Sequence, residues 1–153
     1  MIELIFVIVI LGVLASVAIP RLAATRDDAE VAKAATNLTT AISDITAYYT
    51  AKGKFESNAQ NNFDKITNAL TKDGKLNVKG KTTCVTVVLP AAATTASGKV
   101  ELELTFDTTD AVCKQLAKLP GIMTMCGVDT TNGKTEVSSK CNIQIGGSGG
   151  IQF

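Results

Sequence analysis

Cys84, Cys113, Cys126 and Cys141 are the side chains best equipped for chemistry in this sequence, and that chemistry is oxidation to disulfides. None forms a C-x-x-C pair, which disfavours a zinc ribbon or a thioredoxin-type motif. An even count behind an N-terminal apolar run favours two bridges in an exported protein. Three connectivities are possible. Cys84–Cys113 with Cys126–Cys141 is preferred. A hairpin returns the end of its second strand beside Cys84, where a helix then begins, and the second bridge closes the last strand pair.

The carboxylates Glu101, Glu103 and Asp107 follow a strand edge and read as a wet sheet face. The chain has no His, which removes Ser–His and Cys–His nucleophiles and the commonest metal ligand. No G-x-x-x-x-G-K phosphate loop occurs. Asp129-Thr-Thr-Asn132 is a thin calcium signal. No catalytic residue, metal or cofactor is expected. Asn37-Leu-Thr39 has the form of a glycosylation sequon but falls on a helix, and is taken as chance. Thr and Ser are abundant enough for O-glycosylation, which the sequence does not place.

Glu3 is the remaining oddity, because it stands inside an apolar run, MIELIFVIVILGVLASVAIPRL. The stretch from Leu4 to Ile19 would be about 24 Å long as a helix, against the roughly 30 Å of a hydrocarbon core. It lacks the basic n-region and small-residue cleavage site of a secretory signal. An ionised carboxylate there needs a partner. The nearest basic residue along the helix is Arg21, so the partner must be another chain or an N-terminal amine. Gly12 and Pro20 weaken the far end of the run: Pro removes a backbone donor, and Gly costs about 1 kcal/mol relative to Ala.

From Arg21 to Lys52 the pattern is that of an amphipathic helix. Val31, Ala35, Leu38, Ile42, Ile45 and Tyr49 form one stripe, and no Gly or Pro intervenes before Gly53. The charges Arg21, Arg26, Asp27 and Asp28 gather just past the apolar run. Residues 53–153 are expected to form a small head. Asn62–Lys72 reads as a short helix, Thr82–Leu89 and Lys99–Phe106 as an antiparallel hairpin, and Pro90–Gly98 as the turn between them. A helix is expected from about Thr109 to Leu119, capped by Asp107 or Thr108 and ended by Pro120-Gly121. Ile122–Val128 and Val137–Ile145 read as further strands around the Asn132-Gly133 turn. Gly146–Gly150 reads as a flexible tail. The fold class is therefore α+β: an N-terminal helix over 1–52, apolar over 1–20 and amphipathic over 21–52, with a disulfide-stabilised head.

Composition bounds the partners. The 153 residues carry a net charge of +1, too balanced to predict nucleic acid or an anionic membrane as partner. Two Tyr, five Phe and no Trp leave no dense path of rings for electron conduction.

With Glu3, Gly12 and Pro20 at these spacings, the segment LIFVIVILGVLASVAIPRL is similar to the N-terminal segment of type IV pilins and of the pseudopilins of type II secretion. The close motif covers about the first 22 residues. The family glutamate usually stands fifth in the mature chain, and here it stands third. The resemblance implies a pilin-like fold, with the apolar half of the helix projecting from a small antiparallel head. It implies removal of a leader by a prepilin peptidase and N-methylation of the new terminus, Met1 in this numbering. It implies residence in the bacterial inner membrane, then polymerisation by an assembly machinery into an extracellular pilus serving adhesion, motility or uptake. Glu3 would pair with the N-terminus of a neighbouring copy, and the Gly12–Pro20 stretch would lose helix on assembly. The Cys126–Cys141 bridge would bound the variable, outward-facing region. Two alternatives remain: a pseudopilin of a type II secretion system, and a minor tip pilin or adhesin.

Overall fold

The structure is a computed structural model that describes residues 1–91 and 98–147, with the backbone alone at 20–24. The first helix, α1, runs unbroken over Ile2–Lys52, about 77 Å at 1.5 Å per residue. Its end is local chemistry: Gly53 adopts φ 71°, and its N–H donates to the Tyr49 carbonyl at 2.7 Å. A left-handed glycine is the ordinary way for a helix to stop.

The head is a four-stranded antiparallel sheet in the order β1 (Lys75–Val78), β2 (Thr82–Val88), β3 (Lys99–Phe106), β4 (Lys140–Gly147). The β2–β3 hairpin forms in the expected place, with Val85 opposite Phe106 and Val88 opposite Glu103. Most of its expected connection, residues 92–97, lies outside the described residues. Two short helices, α2 (Ala111–Ala117) and α3 (Pro120–Met125), lead from β3 towards β4. The chain is thus α+β and pilin-like, with a long N-terminal helix packed on a small antiparallel sheet.

The second half of α1 packs on this sheet and on α2. Val31, Ala34, Leu38, Ala41 and Ile45 are its buried residues. Ala35, Ile42 and Tyr49, which the sequence pattern placed on the stripe, flank it and are only partly buried. Ala34 and Ala41 take the centre because a methyl lets the helix approach the sheet closely. Leu76, Val87, Leu102, Leu104 and Leu116 meet the helix residues in one core.

Several expected elements differ. Asn62–Lys72 forms only a 3-10 turn at Phe63–Lys65. Phe63 N–H donates to the Lys72 carbonyl, and buried Thr67 donates to Asp44 at 2.7 Å, so the segment folds back onto α1 as a loop. The α2 cap is Asp110, which accepts from Val112 N–H at 2.8 Å, and not Asp107 or Thr108. Pro120 starts a helix where the sequence suggested an end, because its missing N–H costs nothing in a first turn. Ile122–Val128 is therefore not a strand, and β4 pairs with β3.

Gly146 and Gly147 belong to β4, not to a flexible tail; residues 148–150 lie outside the described residues. A Cβ on Gly146 would collide with the Tyr49 ring. Gly146→Ala is accordingly expected to displace Tyr49 and lower head stability by about 1–3 kcal/mol. Thermal unfolding of the variant checks this, and an unchanged midpoint would contradict the close packing.

Candidate functional site

The residues singled out for assembly all lie on α1. Its first half makes no fold of its own. Every side chain described from Met1 to Ile19 is exposed, and Leu4 to Ile10 range from 43% to 69%. Ile2–Ile19 has a mean hydropathy of 2.9, and by length and composition it is able to cross a membrane or act as a signal. Apart from Glu3, Gly12 and Ser16 the segment is apolar all round the cylinder, so no continuous polar face turns to water.

Glu3 lies in the first turn, where its charge complements the positive end of the helix dipole. Among the described residues no cation stands within ion-pair distance of it. A Cβ added to Gly12 would touch nothing within 4 Å, so in the single chain Gly12 is open surface. The helical backbone continues through Pro20, whose side chain lies outside the description. Glu3 and Gly12 are about 14 Å apart along the axis, and Glu3 and Pro20 about 26 Å. The structure therefore spreads these residues along a rod and does not gather them into a pocket.

At the base of the head one member of the charge cluster, Asp27, joins a clamp, while the Arg21 side chain lies outside the described residues. Lys79, in the turn between β1 and β2, has φ 50°, a conformation non-glycine residues seldom adopt. Its Nζ lies 3.8 Å from Asp27 and 3.6 Å from Asp110, and its N–H donates to Glu30 at 3.3 Å. One turn thus ties the sheet to α1 and α2 where the projecting half begins. The sequence pointed to Asp27 but gave no sign of Lys79, whose part depends on tertiary contact. Arg26 and Asp28 are exposed.

The head carboxylates have local partners. β3 is an interior strand, so Glu101 and Glu103 do not line an edge. Glu103 pairs with Lys140 at 2.9 Å, and Glu101 accepts from Asn142 at 3.2 Å. Asp107 accepts from the Thr109 N–H at 3.0 Å and from its hydroxyl at 2.7 Å. These two bonds, the N–H first, hold its carboxyl below the usual 3.8. Asp129 accepts from the Thr131 hydroxyl and N–H and from Asn132, and the hydroxyl leads in lowering its pKa. Its oxygens thus cap the 3-10 turn Thr130–Asn132. Among the described residues no three His, Cys, Asp or Glu side chains gather as a metal-binding group.

A carboxyl whose folded pKa is depressed adds stability above its unfolded pKa, and that contribution is lost as pH falls through the folded value. A carbon-detected NMR titration is expected to give midpoints below 3.8 for both Asp107 and Asp129. Midpoints at or above 3.8 would remove these capping bonds from the solution structure.

The disulfides are Cys84–Cys113, joining β2 to α2, and Cys126–Cys141, joining the end of α3 to β4. These are the pairs preferred from the sequence, although the second ties a helix end to a strand where a strand pair was expected. Compared with known proteins, the chain matches no family model, no curated protein and no solved structure.

Proposed function

We propose that this protein is a structural subunit that polymerises through its N-terminal apolar helix into a type IV pilus-like surface filament. One observation carries the reading. The apolar Ile2–Ile19 segment is wholly uncovered, yet it is one continuous helix with the segment on which the head is built. Contiguous apolar surface of this extent has to be covered by lipid or by other chains. The helix holds the subunit in the inner membrane before assembly, and extraction then exchanges lipid for neighbouring helices. Burial at about 25 cal/mol per Å² makes a water-exposed filament with an apolar core stable. Glu3 pairs with the N-terminal amine of an adjacent copy and fixes the axial register. The heads form the outer surface and carry adhesion, motility or uptake.

The test is to shear cells, collect the released fibres, and combine electron microscopy with intact-mass and N-terminal analysis of the main subunit. Long fibres built of this chain, with a methylated terminus, are expected. Retention of the protein in the envelope while the fibres contain another subunit would transfer it to the pseudopilin or minor tip-pilin class.

A further inference from the structure

The two disulfides occupy different surroundings. Cys84 on β2 and Cys113 on α2 are 0% and 1% exposed and sit within the core. Cys126 is half-buried at the end of α3, and a surface cavity of about 470 Å³ is lined by both Cys126 and Cys141. That volume lies within the range of small-molecule pockets. Its other walls include Ser138 and Asn142, which offer hydrogen bonds, and Lys134 and Lys140. Lys140 is matched by Glu103, which also lines the cavity, and the charge of Lys134 reaches Asp129. The rim is polar without a strong field of either sign.

We infer that this cavity is a thiol–disulfide exchange site, at which a low-molecular-weight thiol opens the Cys126–Cys141 bridge while the head stays folded. Exchange needs a thiolate to reach a disulfide sulfur, so access decides which bridge reacts. The thiolate attacks the Cys126 sulfur, because Cys126 is the more exposed residue of the pair. The Cys126–Cys141 bond breaks, its electron pair leaves on the Cys141 sulfur, and that sulfur takes up a proton. A second thiol attacks the mixed disulfide on Cys126, which releases the small disulfide and the Cys126 thiol. Two external thiols are oxidised to one disulfide, and the bridge gains two electrons and two protons.

The segment between the two cysteines has its own anchors. Val128 N–H donates to the Met123 carbonyl at 2.9 Å, and Val137 N–H donates to the Ala117 carbonyl at 3.0 Å. Val137 is 2% exposed, and β4 keeps its ladder with β3 from Lys99–Gly147 to Thr105–Lys140. Opening the bridge therefore frees a cross-link without removing the contacts that seat the strand. The site belongs to the head alone and stands whether or not the subunit polymerises.

The test uses the full chain in detergent, exposed to graded concentrations of glutathione, quenched in acid, alkylated and mapped by mass spectrometry. The expected result is a glutathione adduct on Cys126, followed by free Cys126 and Cys141, with Cys84–Cys113 intact and the circular dichroism retained. The rate should rise in proportion to thiol concentration, because the folded state itself reacts. All four thiols appearing together, a rate that saturates at an unfolding step, or first attack at Cys84 or Cys113 would each overturn the inference. Asn142→Trp, an exposed β4 position on the cavity wall, supplies the second arm. It is expected to slow reduction of Cys126–Cys141 by about tenfold by filling the access path. An unchanged rate in that variant, with the fold intact, also counts against the site.

Discussion

A Glu3→Ala subunit is expected to insert in the membrane as well as the parent or better, and to yield at least about tenfold fewer filaments. The two halves of this expectation come from opposite terms. Removing a carboxylate from an apolar helix lowers the cost of placing that helix in hydrocarbon, by less than the roughly 2.5–3.5 kcal/mol that insertion scales set for a central charged residue, because Glu3 stands in the first turn. If Glu3 were only a burden, the variant would assemble more readily. In the register role the carboxylate meets an N-terminal amine inside an apolar filament core. Loss of one partner then leaves the amine buried without its counter-charge, at a cost of about 3–5 kcal/mol. The head is expected to be unaffected, since Glu3 makes no ion pair with the described residues of its own chain. Filament yield per membrane-inserted subunit is the quantity to measure, alongside Glu3→Gln, which keeps a hydrogen-bond acceptor. Normal yield from Glu3→Ala would end the register proposal.

The second large effect concerns stability. Cys84 and Cys113 are 29 residues apart, and cross-linking such a loop contributes about 3–4 kcal/mol in the chain-entropy account. Both sulfurs lie in the core, so Cys84→Ala with Cys113→Ala also loses packing. For a head of this size the thermal midpoint should drop by about 15–25 °C. A drop of only a few degrees would mean that the core alone holds β2 against α2.

The sequence made some elements plain and concealed others for definable reasons. The long helix was legible because apolar spacing and the absence of Gly or Pro between Pro20 and Gly53 act locally. Thr82–Val88 and Lys99–Phe106 were legible because β-branched and alternating residues fit a half-buried strand. Lys75–Val78 escaped notice because four residues are too short for a period to show. Pro120 misled because the residue that ends one helix also opens the next. Ala34 and Ala41 look indifferent on a hydropathy scale, and only the approach of the sheet gives them weight. Glu3, Gly12 and Pro20 stood out as a pattern, but among the described residues of one chain no partner stands beside Glu3 or Gly12. The Lys79 clamp and the cavity over Cys126 depend on segments far apart in sequence, so no local signal announces them.

The place of β4 has a consequence for biogenesis. Strands β1, β2 and β3 are neighbours in sequence as well as in the sheet, so they can zip together as the polypeptide emerges. β3 then waits with an open edge until residues 140–147 appear, because its second neighbour is separated from it by α2, α3 and the loop after them. An unpaired strand edge is the part of a nascent chain most prone to wrong pairing. The early interval between these two strands is therefore the time at which the emerging head most needs a chaperone, and arrival of the Tyr49–Gly146 contact marks its close.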